Sequence, residues 1–213
     1  MSLKIYAFPL SPRSFKVLWT ANHLGVPYEM KLVDFTKNAQ NDSAYLVLNP
    51  NGRAPALDDN GYVLWESNAI LEYLASLKPE TGLLPTDTKA RLQVTKWLYW
   101  ESSHWDPACA IFAFERVVKK LFNRGEPVQA EIDRGTQLFE RIGKVLDGQL
   151  AQHRYVAGDK LTIADFSLGA SLCIADDAGF PIGKYQHIQR WRTDITSLPS
   201  FTKTAAARMP KAA

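Results

Sequence analysis

Residues 3–25 read LKIYAFPLSPRSFKVLWTANHLG. Leu3 to Phe8 is rich in β-forming residues and stops at Pro9, whereas Phe15 to Leu24 carries apolar residues at helical spacing and ends at Gly25; the stretch therefore predicts strand, loop, helix. Outward from it, Tyr28 to Val33 alternates and gives a second strand. Ala56 to Asp58 and Tyr62 to Trp65 flank Asp59-Asn60-Gly61, and Asn-Gly between two such runs is a hairpin signal. Ser67 to Leu77 closes the segment as an amphipathic helix. The order βαβ, hairpin, helix predicts a small α/β domain with a mixed sheet.

Past residue 77 the pattern changes. Lys78 to Asp87 (KPETGLLPTD) gathers Pro, Gly and Thr without periodicity and reads as a linker. Lys89 to Lys120, Val128 to Ala151, Thr162 to Ala178 and Ile188 to Ser197 carry the helical period with no alternating strand among them. The expected organisation is an α/β domain at 1–77, a linker at 78–87 and an all-helical domain at 88–213, its alanine-rich end after Phe201 fraying. Two compact units suit a chain of 213 residues.

Of these residues 46% are hydrophobic and 22% charged, enough apolar material for real cores. The net charge of +3 comes from 25 basic and 22 acidic residues that are interspersed, so no nucleic-acid partner is expected. MSLKIYAFPL has no apolar h-region, and no stretch approaches the roughly 18 apolar residues of a membrane span, which points to a cytoplasmic protein without membrane association. Cys109 and Cys173, far apart and set in apolar sequence, read as core thiols and suggest neither a disulfide framework nor a metal site.

Three local features carry possible chemistry. Ser11-Pro12-Arg13-Ser14 sets two hydroxyls at the start of the first helix, where free amides and the helix dipole favour an anion such as a thiolate. Taken alone, both serines read as helix caps. In Asn49-Pro50-Asn51-Gly52-Arg53-Ala54-Pro55, a turn runs into a proline at the head of a strand. A cis peptide before Pro55 would turn the backbone outward and leave Ala54 to pair with an extended ligand. Trp65-Glu66-Ser67-Asn68 sits where a strand enters a helix. Ser67 can offer its hydroxyl and nearby amides to a carboxylate there, with Glu66 beside it for an ammonium.

In this order and spacing the three features resemble the glutathione transferases of the serine-dependent, theta/phi/zeta-related type, and the resemblance covers nearly the whole chain. Thr162-Ile163-Ala164-Asp165 matches that family's capping motif on a buried helix, a folding element outside the active site. The resemblance implies a thioredoxin-like N-terminal domain, glutathione as co-substrate, no metal, a homodimer, and Ser11 as the catalytic serine, with Ser14 its rival three residues on. Ala7 stands where tyrosine-dependent members carry their tyrosine. Gln40 replaces the usual histidine before the Asn-Pro turn. Gln40, Arg53, Ala54, Pro55, Glu66 and Ser67 become the expected glutathione contacts, Arg53 and Lys37 being able to supply the missing positive charge.

A serine hydroxyl is too weak an acid or base to deprotonate a thiol, so Ser11 is expected to donate a hydrogen bond to the thiolate while the proton leaves to water. Lowering a thiol from about 8.5 to about 6.5 requires roughly 2.7 kcal/mol, within reach of one donor and a helix N-terminus. The thiolate would attack a small hydrophobic electrophile in a pocket lined by Trp100, Trp105 and Phe112, near Phe114. Glutathione-dependent disulfide reduction, peroxide reduction or isomerisation, or a non-catalytic interaction module, remain alternatives on the same fold.

Overall fold

The computed structural model describes residues 3–208, and these form two compact units. The first takes the described part of Met1–Leu84 and Ser197–Ala213, the second Pro85–Thr196. In the first unit β1 (Leu3–Ala7) leads into α1 (Pro12–Leu24), then β2 (Tyr28–Leu32), a short helix α2 (Ser43–Leu46), the hairpin β3 (Ala56–Asp59) and β4 (Tyr62–Trp65), and α3 (Ser67–Ser76). The sheet order is β2-β1-β3-β4, with β1 parallel to β2 and antiparallel to β3. Asn60, at φ 54, and Gly61, at φ 95, make the hairpin turn that Asn-Gly predicts.

α1 begins three residues before Phe15, because Pro12 occupies its first turn and proline's fixed φ suits that position. Gly25 ends it at φ 63, the left-handed conformation that favours glycine there. Ile5, Phe15, Trp19, Leu57, Ile70, Leu71 and Leu74 are completely buried and form the core between sheet and helices.

Two parts of this unit depart from the sequence reading. Residues 35–46 hold two single turns of tight helix, Phe35–Lys37 and Ala39–Asn41, followed by α2. After Phe201 the chain does not fray within the described residues: a helix runs Pro199–Arg208 and packs on α1. Phe201 lies 5.2 Å from Phe15 and 5.0 Å from Trp19 between ring centroids, and the Trp19 indole donates to Ser200 Oγ at 3.0 Å. The sequence reading carried the helical domain through to 213; by packing, this last helix belongs with the sheet.

The second unit is helical. α4 (Thr88–Trp100) continues through a wide π turn at Glu101–Trp105 into α5 (Asp106–Ala113), then through a second π turn at Phe114–Val118 into α6 (Lys119–Leu121). The first wide turn precedes Pro107, which has no N–H for a regular helical bond. α7 (Gln129–Gln152), α8 (Ile163–Gly169), α9 (Ala175–Ala178) and α10 (Gln186–Thr196) follow, and by the same count Pro199–Arg208 is α11. The centre is aromatic: Trp105, Phe112, Phe139, Phe166 and Trp191 are all buried.

α8 carries the expected cap. Thr162 Oγ1 accepts from Ala164 N–H, and Asp165 accepts from Thr162 N–H at 2.9 Å. The same carboxylate also takes Val156 N–H and the Trp191 indole, each at 2.9 Å, so it ties the preceding loop and α10 to α8. Among the described residues no helix is long and apolar enough to cross a membrane.

Candidate functional site

Strand register decides what meets at the edge of the sheet. Tyr6, near the end of β1, stands opposite Ala56 at the start of β3; Ala56 stands opposite Trp65 at the end of β4; and Ala7 stands opposite Leu32 at the end of β2. The loop into α1, the turns after β2, the turn before β3 and the entry to α3 therefore emerge from one edge. The N-termini of α1 and α3 open there, and both favour negative charge. Ser11, Gln40, Arg53, Ala54, Pro55, Glu66 and Ser67 all lie on these loops and helix starts, at one end of the sheet.

The two serines of the first loop have different partners. Ser11 is the N-cap residue of α1 in extended conformation (φ −77°, ψ 127°), yet its hydroxyl makes no capping bond. Its backbone is anchored instead: the N–H donates to Phe8 O and the carbonyl accepts from Phe15 N–H, both at 2.8 Å. The half-buried hydroxyl thus stays available at the helix start. Ser14 is completely buried, and its Oγ accepts Phe8 N–H at 3.1 Å. It locks the end of β1 to α1, which corrects the reading of Ser14 as a plain cap.

The turn before β3 is held from inside. Asn49, 3% exposed, donates to Arg53 O at 2.6 Å and accepts Asn51 N–H at 3.1 Å, while the Tyr45 hydroxyl donates to Arg53 O at 2.7 Å. Burial pushes the Tyr45 phenol up to about 12, so it remains a donor. Gly52 has φ 59°, and a Cβ there would come within 3.1 Å of Asn41 Oδ1 and 3.3 Å of Gln40 O. Glycine is required both by the backbone and by this close approach, which sets the turn bearing Gln40 against the turn bearing Arg53.

The Ala54–Pro55 peptide is cis. Ala54 is buried and lies outside the sheet ladder, whose pairing begins at Ala56. Arg53 is exposed. Gln40 donates to Asn38 Oδ1 at 2.9 Å, and its Oε1 is buried without a partner among the described residues.

At the entry to α3, Glu66 adopts φ 71°, ψ 113°, a conformation that a non-glycine residue holds only under constraint from its surroundings. It turns the chain sharply, leaving its own side chain exposed and Ser67 buried at the head of the helix. Beside Ser67 lies a residue to which the sequence reading gave no role: Lys16, on α1, donates to Ser67 Oγ at 3.3 Å. Tyr45, which helps to fasten the turn, has no part in the sequence reading, and Asn49 enters it only as the first residue of the turn motif. Lys16 falls in an unbroken run of buried residues from Ser14 to Ala21.

In the helical unit the three aromatic candidates separate. Trp105 is wholly buried and its indole donates to Leu168 O at 3.0 Å and Ser171 Oγ at 2.9 Å. Phe112 packs edge-on to Phe139 at 6.1 Å in the same core. Both are core residues, which corrects their assignment to a pocket: at helical spacing they face inward. Trp100 is half-buried and lines a cavity of about 350 Å³ with Trp97, Val145 and Gln149. Among the described residues no cluster of three His, Cys, Asp or Glu is placed to hold a metal ion.

A four-stranded mixed sheet of βαβ–ββα order, with two helix N-termini and a cis-proline turn at one end, joined to a helical unit, is a thioredoxin-like domain followed by a helical one. The chain belongs to the glutathione S-transferase family. Residues 1–76 match the glutathione S-transferase N-terminal domain and residues 104–199 its C-terminal domain. Glutathione S-transferase 3 of Zea mays is 36% identical over 96% of this chain and 94% of its own length. The structure of glutathione S-transferase III in apo form superposes with a TM-score of 0.88 at 33% identity, covering 100% of both chains. That of glutathione S-transferase I from maize in complex with an atrazine–glutathione conjugate superposes with a TM-score of 0.89 at 26% identity, again over 100% of both.

Proposed function

We propose that this chain binds glutathione at the sheet edge and transfers its sulfur to a small hydrophobic electrophile, with Ser11 holding the thiolate. The observation that carries this reading is the uncommitted Ser11 hydroxyl at the start of α1, on the same edge as Ala54 and the head of α3. The atrazine–glutathione conjugate bound by a maize relative supports glutathione as the thiol donor and a small electrophile as its acceptor.

In this reading the γ-glutamyl carboxylate meets the Ser67 hydroxyl and the amides of the first turn of α3, and its ammonium meets Glu66. The cysteinyl backbone pairs with Ala54 beside Pro55, just ahead of β3, through main-chain hydrogen bonds. The glycine carboxylate faces Gln40 and Arg53. Gln40 brings only neutral donors, so Arg53 supplies the full charge at that end. The thiol proton departs to water; the thiolate, held by the Ser11 O–H and the dipole of α1, forms the new carbon–sulfur bond as the leaving group departs from the electrophile. Of the three aromatic candidates, only Trp100 keeps the partial exposure that contact with an electrophile requires. The working form is a cytoplasmic homodimer; Tyr62, 55% exposed, and Tyr99, 72% exposed, are apolar surface of the kind that a second copy covers.

The test is turnover of glutathione with an activated aryl halide, an organic hydroperoxide and a mixed disulfide, side by side. Conjugation of the aryl halide, abolished or strongly reduced in Ser11→Ala, is expected. Reduction of the disulfide without any conjugation would replace this reading by the reductase one.

A further inference from the structure

Lys16 sits in the middle of α1 at 2% exposure, and its Nζ donates to Asn68 Oδ1 at 2.9 Å and to Ser67 Oγ at 3.3 Å. Two terms oppose this placement. Burial disfavours an ammonium, and the N-terminus of α3 is itself the positive end of a helix. A carboxylate at the head of α3 is attracted by both positive ends.

The hydrogen-bond directions add a second argument. An ammonium can only donate, so the Ser67 oxygen receives, and the hydroxyl proton must point away from Lys16 toward the open side of the helix start. A hydroxyl that accepts from a cation is also polarised into a stronger donor. Asn68, the next residue of α3, holds the ammonium at the shorter distance and fixes it behind Ser67.

We propose that Lys16 is a positioning residue for the carboxylate of the bound ligand's head group: it sets the Ser67 hydroxyl in its donating orientation and places positive charge behind it, so that the site selects peptides bearing a carboxylate at that end. This rests on the assignment of Ser67 to the γ-glutamyl end of glutathione. Neither the serine nor the helix start accounts alone for the selectivity; the lysine from the neighbouring helix completes it.

The experiment titrates glutathione, and its analogue lacking the γ-glutamyl α-carboxylate, into wild type, Lys16→Gln, Lys16→Arg, Ser67→Ala and the Lys16→Gln/Ser67→Ala double variant by calorimetry. Lys16→Met, which keeps the buried stem, runs alongside so that a folding defect in the glutamine variant leaves the comparison intact. Loss of the charge is expected to weaken glutathione binding about tenfold while leaving the analogue unaffected, with Lys16→Arg restoring most of the loss. In the Ser67→Ala background the same substitution is expected to have less than about a twofold effect, because coupled residues are not additive. The KM for glutathione rises with kcat unchanged. Wild type that binds both ligands equally would remove the head-group assignment itself. Wild type that discriminates, with Lys16→Gln and Lys16→Met either unchanged or equally impaired for both ligands, would overturn the role of Lys16 alone.

Discussion

Ser11 and Ser14 lie one helical turn apart, and the difference between them is which backbone group each hydroxyl meets. Ser14 Oγ is the acceptor for Phe8 N–H in a fully buried place. Ser14→Ala removes that buried bond, and a loss of about 1–3 kcal/mol in urea denaturation is expected. Glutathione binding by this variant should match wild type once it is folded. At the other helix start, Ser67→Ala and Glu66→Ala should each weaken glutathione by about 1–3 kcal/mol in calorimetry, since each leaves one charge of the head group without its partner. Wild-type affinity in both would remove them from the site. Ser67 was singled out from sequence by the order and spacing of the three motifs, since a serine at a strand-to-helix junction taken alone reads as a helix cap. Lys16 was not, because a lysine in a helix ordinarily reads as solvated, and only packing against α3 shows that this one points inward.

Elements show the same division between local and long-range causes. The hairpin, the body and end of α1 and the α8 cap were legible because Asn-Gly, a helical period closed by glycine and Thr-x-x-Asp are short-range chemistry. Residues 35–46 were not. Beyond the local bond from Thr36 N–H to Asp34, their turns rest on a small cluster in which Val33 and Tyr45 meet Ala54 and Ala56, from a later part of the chain. The last helix needed Phe15 and Trp19 as its partners, which no local pattern announces. Gly52 is the hinge of the candidate site: Gly52→Ala meets both a positive φ and backbone at 3.3 Å, so lower thermal stability together with weaker glutathione binding is expected.

Asp165 tests the α8 element. Burial pushes its carboxyl up to about 6 from an ordinary 3.8, with the bonds from Val156, Thr162 and Trp191 pulling the other way. Because the folded value lies above the unfolded one, the native state binds the extra proton between them: this contribution to stability grows as pH falls from 6 toward 4 and is lost as pH rises through 6. Asp165→Asn cannot take up that proton and turns an amide toward N–H donors. It should lose roughly 2–5 kcal/mol at pH 7 in urea melts, and the gap should widen below pH 6 by up to about 1.4 kcal/mol per unit. A gap that narrows on acidification would mean that the carboxylate is held ionised.

At the scale of the whole molecule, one unit carries the proposed glutathione site and the other is a helical scaffold organised round Trp105, Phe139 and Trp191. The proposed homodimer is expected to sediment at about twice the mass of one chain at micromolar concentration; a single-chain mass there would leave Tyr62 and Tyr99 without the cover proposed for them. The central claim, that the Ser11 hydroxyl stabilises the glutathione thiolate, is tested most directly by thiolate absorbance against pH for the enzyme–glutathione complex. The wild-type complex should titrate near about 6.5, and Ser11→Ala should move the titration up by about 1–2 units toward the free thiol, with Ser14→Ala following wild type. A Ser11→Ala complex that titrates like wild type, beside a shifted Ser14→Ala, would contradict the account and move the role to Ser14.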